Sequence, residues 1–136
     1  MTQRTSYRLN VLGDFYVEDG CCTLCAMPFS EAPGLFGSIE SDTESHCFVQ
    51  KQPSNDEELD QMVSAIQCAE LKCIRYKGTN RATQERLVQL NEGDICDALP
   101  HDLQAETIRQ ERIYVRKRRF QRSWVGRLMR FLRPGA

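Results

Sequence analysis

The stretch from about Asp56 to Glu70 leaves this chain the least freedom. Ser54 and Glu57 stand three positions apart, as a capping box requires, and Asp56, Glu57 and Glu58 load the first turn with negative charge. Leu59, Met62, Val63 and Ile66 then follow the i, i+3, i+4, i+7 spacing of one buried helix face. Whatever that face packs against must come from the short β-branched and aromatic runs on either side. Upstream, Tyr7 to Val17 reads as two short strands or one kinked strand, and Cys47-Phe48-Val49 as a short strand ending at Pro53. Downstream, Cys73 to Tyr76 reads as a final strand closed by Gly78. Gly20 to Phe29 has no period and reads as a loop, Ser30 to Phe36 as a turn or two of helix, and Ser38 to Ser45 as a polar hairpin or turn. The order is that of an α+β sandwich of about 70 residues.

Beyond Gly78 the pattern is helical. Asn80 to Leu90 predicts a helix, and Asp94 to Pro100, with Ile95, Cys96 and Leu99, a segment that packs back on the domain. Asp102 to Phe120 is compatible with one long helix or with a helix followed by a basic strand. From Trp124 to Arg133 the wheel gathers Trp124, Val125, Leu128, Met129, Phe131 and Leu132 into an arc of about 160°. Arg127, Arg130 and Arg133 lie opposite, and Pro134-Gly135 ends the helix. The expected division is a domain over residues 1–78 and a helical extension over 79–136.

Charge divides the chain in the same place. Residues 1–77 hold 6 basic and 12 acidic side chains, residues 78–136 hold 12 basic and 7 acidic, and nine of the last 25 residues are Arg or Lys with no acid after Glu111. An acidic front and a basic tail imply different partners. No run approaches the roughly 18 apolar residues of a membrane span, and the first twenty residues have no signal-peptide core. The expectation is a cytoplasmic protein whose seven cysteines serve metal, cluster or core packing and not a disulfide framework.

Three strings carry a resemblance: Gly13-Asp-Phe-Tyr-Val-Glu-Asp-Gly-Cys-Cys-Thr-Leu-Cys25, Glu31-Ala-Pro-Gly-Leu-Phe36, and Phe48-Val-Gln-Lys-Gln-Pro53 before the acidic-capped helix. Over residues 7 to 78 the chain resembles the bacterial single-cluster ferredoxins of the [4Fe–4S] or [3Fe–4S] type. The resemblance implies a ferredoxin-like βαββαβ domain that passes one electron to a redox enzyme, with an acidic surface for docking. It also implies a ligand set drawn from Cys21, Cys22, Cys25, Cys68 and Cys73. Anchored on Ala32-Pro33, the family's first two cysteines fall on Cys22 and Cys25. The third falls on Pro28, which has no ligand atom, and the distal one near Ala69-Glu70, between Cys68 and Cys73.

Two other readings stand beside the cluster. Cys22 and Cys25 make one zinc knuckle, which Cys47 with Cys73, or His46, would complete to four ligands. Alternatively the cavity is filled, with the cysteines acting as small core residues and Met27, Pro28 and Phe29 occupying the space. His46 and His101 read as isolated, solvent-facing histidines. No nucleophile elbow, P-loop, dinucleotide fingerprint or paired-carboxylate site is present, so no enzyme is expected.

Function therefore has two candidates. One is an iron–sulfur electron carrier; the other is a cluster-free interaction protein of the immunity type, presenting Glu40 to Glu44 and the Asp56–Asp60 helix start to a basic target. The basic tail is expected to dock on the protein's own core or on a protein partner. Contact with a membrane surface is the second choice. Contact of Arg116-Lys-Arg-Arg119 with nucleic acid is disfavoured by the lack of a recognised module.

Overall fold

The computed structural model describes residues 4–132. Strand β1 (Phe15–Val17) leads through a loop to a short helix α1 (Met27–Glu31), a hairpin of β2 (Phe36–Glu40) and β3 (Ser45–Val49), and helix α2 (Asp56–Cys68). Strand β4 (Ile74–Tyr76), helix α3 (Arg81–Gln89), a 3-10 turn (Gly93–Ile95) and the long helix α4 (His101–Leu132) complete the chain. The class is α+β, and its first six elements run β-α-β-β-α-β. The strands form two separate antiparallel pairs: β1 with β4, in the register Tyr16↔Arg75, and β2 with β3, in the register Ser38↔Cys47.

Helix α2 holds its sequence-predicted face: Met62, Val63, Ala65 and Ile66 are buried, with Leu59 packed at the edge. Its cap lies one residue later than the capping box suggests. The Asn55 side chain accepts from the Glu58 backbone N–H at 2.8 Å, and Ser54 donates to the Glu58 carboxylate, which Lys51 also binds. The helix ends at Cys68, two residues short of Glu70.

The buried cluster does not stop at Gly78. Phe15, Val17, Leu35, Phe36, Val49, Met62 and Tyr76 share one core with Leu87 of α3 and Ile95 of the 3-10 turn. Upstream, the expected run from Tyr7 is mostly loop, held by one side chain in place of a second strand. Asn10 donates to the carbonyls of Tyr7 and Val17 and accepts from the backbone of Val17 and Val49, all between 2.9 and 3.1 Å. Gln52 treats Phe15 in the same way, accepting from its N–H and donating to its carbonyl. That contact leaves no room at Gly13, whose added Cβ would stand 2.3 Å from the Gln52 side chain.

Residues 94–97 are fastened to β4 by a polar network. Arg75, 4% exposed, donates to Asp97 and to the Asp94 carbonyl, while the Tyr16 hydroxyl donates to the other Asp97 oxygen. Burial and that carboxylate push Tyr16 ionisation up from 10.0 to about 12. The folded value is the higher one, so Tyr16 contributes its full stability below pH 10.0 and loses it as the pH rises through about 12. Comparing urea midpoints at about pH 9 and about pH 11, wild type is expected to fall more steeply than Tyr16→Phe. Equal falls would show that Tyr16 is not held by Asp97.

Helix α4 resolves the ambiguity of residues 102–120: it is one helix through Leu132, with no basic strand. Arg133 and the Pro134-Gly135 stop lie outside the described residues. The expected self-docking of the tail is overturned. Within α4 only Leu103 is buried, and Trp124, Leu128 and Phe131 are exposed. The helix leaves the body after its first turns, which is why this face never meets the core.

Candidate metal centre

The seven cysteines separate into distinct environments. Cys21 and Cys73 are joined in a disulfide across 52 positions of sequence, which overturns the expectation that the thiols serve no such bond. The loop after β1 and the residue before β4 lie side by side, because the Glu18 N–H donates to the Cys73 carbonyl. Once the antiparallel β1–β4 pair forms, Cys21 and Cys73 are held facing each other. Cys68 is exposed at the end of α2, and Cys96 is half-buried, its thiol pushed up to about 11 by burial.

The remaining cysteines gather where loop 20–26 meets β3. Cys22, His46 and Cys47 bring one ligand atom each to within 4.8 Å of one another. The Cys22 sulfur accepts two backbone N–H groups, from Leu24 and from Cys47, both at 3.3 Å. The Cys47 thiol is buried and raised, first by burial and then by its hydrogen bond to Cys22. Cys25 is half-buried on the same loop, outside this group of three. Its neighbours Leu24 and Ala26 both adopt left-handed backbone, at φ 55° and 64°. That conformation costs a residue with a Cβ on the order of 1 kcal/mol.

His46 corrects the expectation of a solvent-facing histidine. It is 6% exposed and stacks on Tyr7 with ring centroids 3.7 Å apart and 12° between planes. His46 and Cys47 are adjacent in β3 and both buried, His46 beneath the Tyr7 ring. His46 Nδ1 lies 2.6 Å from the Cys47 carbonyl and donates to it, leaving Nε2 to accept from the Gly20 N–H at 3.1 Å. Tyr7 is held in turn by its hydroxyl bond to Glu44. That bond and Arg8 keep the Glu44 carboxylate below its ordinary range. His101 is exposed at the start of α4 and has no part in this centre.

An iron–sulfur cluster needs thiolates converging on one cavity. With Cys21 bonded to Cys73, Cys68 exposed and Pro28 buried where the third ligand falls, the donors do not fit one in this state. They fit a single ion better. Tetrahedral zinc with sulfur at about 2.3 Å and nitrogen at about 2.0 Å sets its ligand atoms about 3.5–3.8 Å apart. Closing on an ion therefore takes up to about 1 Å of side-chain movement and displacement of the Gly20 bond from His46. Of the zinc set read from sequence, Cys22 and Cys47 meet, Cys25 stands on the same loop outside them, and Cys73 is replaced by His46. No protein-family model matches the chain, and no curated protein and no solved structure matches it either.

Proposed function

We propose that this protein binds one zinc-class divalent ion through Cys22, His46 and Cys47, with Cys25 as the neighbouring fourth donor, and that the ion clamps loop 20–26 onto β3. The convergence of three ligand atoms within 4.8 Å carries the reading. In this role the protein is a metal-stabilised binding module and not a catalyst. The face it would offer a basic partner is narrower than the sequence suggests. Glu44, Glu58 and Asp60 are engaged by Arg8, Lys51 and Arg86, while Glu40, Asp42, Asp56 and Glu57 are exposed.

The test is titration of chelator-treated protein with Zn²⁺ and with Co²⁺, followed by metal analysis. One ion per chain, a thiolate-to-cobalt absorption band and a raised unfolding midpoint are expected. Cys22→Ser and His46→Ala should each weaken binding by about 100-fold or more. Saturating zinc that leaves the midpoint unmoved would refute the site.

One observation supports the electron-carrier reading as an alternative. Cys21, Cys22, Cys47 and Cys73 all pack against the same core, so opening the disulfide would leave four thiols in one region. Together with the β-α-β-β-α-β order, this is what the ferredoxin-like reading rests on. Anaerobic reduction followed by iron and sulfide reconstitution tests it: brown protein that binds iron only after reduction would favour the carrier. Disulfides persist in oxidising compartments, so a cytoplasmic location requires Cys21 and Cys73 to be reduced there. No helix among the described residues is long and apolar enough to cross a membrane.

A further inference from the structure

We propose that the outer end of α4, from about Phe120 to Leu132, is an in-plane anchor for an anionic lipid surface. This rests on residues remote from the metal centre and is independent of that reading. Helix α4 spans 32 residues and buries only Leu103. At about 1.5 Å per residue, the stretch from Phe120 to Leu132 extends roughly 20 Å.

Its two faces differ in kind. On a helical wheel Trp124, Leu128, Phe131 and Leu132 lie within a sector of about 180° whose margins are Phe120 and Met129. All six are exposed, from 42% at Leu128 to 88% at Phe131. Within Phe120–Leu132 Gln121 is the one polar side chain inside the sector, Arg122, Arg127 and Arg130 lie outside it, and no acidic residue follows Glu111. Arg122 and Arg127 sit within about 20° of the two margins. From there their aliphatic stems can cover apolar surface while the guanidinium groups reach lipid phosphates. An aromatic and leucine face sunk to the acyl boundary, flanked by arginines at headgroup level, is how interfacial helices hold an anionic membrane.

A nucleic acid or a second α4 satisfies only half of these features. A nucleic acid would take the arginines and leave Trp124 and Phe131 in water. A second α4 would bring like charges together, and its seam is interrupted. The heptad frame through Ile113, Phe120 and Trp124 places Lys117 and Arg127 at core positions, and the frame through Tyr114, Val125 and Leu128 places Arg118 and Gln121 there.

Trp124 is the sole tryptophan, so its emission reports on this helix alone. The full chain is mixed with phosphatidylcholine vesicles, with or without about 30 mol% phosphatidylglycerol, and followed by fluorescence and co-sedimentation. A blue shift and at least about tenfold more sedimented protein are expected on the anionic vesicles, reversed by about 0.5 M salt. Leu128→Glu combined with Phe131→Glu should abolish both while far-UV circular dichroism holds, since neither side chain is buried. Three results would overturn the proposal: no response to anionic vesicles, a response that survives the double substitution, or an equal blue shift produced by duplex DNA or by concentration-dependent self-association without lipid.

Discussion

Reduction of the Cys21–Cys73 bridge is expected to lower the thermal midpoint by roughly 10–20 °C. Closing a loop of 52 positions removes enough freedom from the unfolded chain to contribute about 4 kcal/mol, and in a body of this size each kcal/mol moves the midpoint by several degrees. Calorimetry of chelated protein with and without dithiothreitol measures it. The remaining cysteines provide the control, because Cys22, Cys25, Cys47, Cys68 and Cys96 are free thiols that the reagent leaves as they are. Cys21→Ser combined with Cys73→Ser should match the reduced protein and ignore the reagent. A midpoint indifferent to dithiothreitol in wild type would mean the two sulfurs are not bonded in solution.

The same measurement bears on the site. The bridge anchors the residue just before Cys22, so its loss releases one end of loop 20–26. Hydrogen bonds from Leu24 and Cys47 to the Cys22 sulfur, with the Gly20 bond to His46, then hold the loop. Zinc at Cys22, His46 and Cys47 would tie that loop to β3 independently. Zinc is therefore expected to recover part of the midpoint lost on reduction.

How much of this was legible from the sequence depended on how local each cause is. Helix α2, strand β4 and helix α3 follow from periodicity and capping residues within each segment, so they emerge nearly in place. The cap of α2 missed by one because Ser54 and Asn55 are both competent; the cluster of Lys51 and Ser54 on the Glu58 carboxylate settles it on Asn55. Strand β2 starts earlier than the polar hairpin expected over Ser38 to Ser45, because Gly37 and Ser38 have little strand preference. Pairing with β3 makes it a strand, and Gly37 is required where an added Cβ would stand 2.7 Å from the Phe48 ring. At the site, Cys22 and Cys47 were readable from the knuckle and the short strand. His46 was misread because the side chain that buries it, Tyr7, is remote in sequence. The Cys21–Cys73 partnership is set by the β1–β4 register, which spacing alone does not express. The tail was readable as an amphipathic helix, but amphipathicity carries no information on what covers the apolar face.

Arg75→Met is expected to cost about 3–5 kcal/mol, because it leaves the partly buried Asp97 without its cation. The Arg75 side chain is 5% exposed and Asp97 25%, with 2.8 Å between Nη2 and Oδ1, so the pair is shielded far more than the surface bridges elsewhere. Partial exposure of Asp97 places the loss toward the lower end of that range. Arg75 also donates to the Asp94 carbonyl, so one side chain ties the 3-10 turn and the residues just after it to β4. Adding Asp97→Asn should recover about 1–2 kcal/mol, since the orphaned charge disappears while an oxygen remains for Tyr16. Urea unfolding of the two variants measures both terms. A loss below about 1 kcal/mol for Arg75→Met would mean that water already screens the pair. The expected result gives the network a functional consequence. Asp97 is one of several ties near the base of α4, beside the Gln84 bond to the Ala98 carbonyl and the Arg81–Asp102 pair, so Arg75→Met should loosen that base while the exposed face from Phe120 onward keeps its chemistry. Lipid binding by that face should then survive Arg75→Met at temperatures where the variant stays folded.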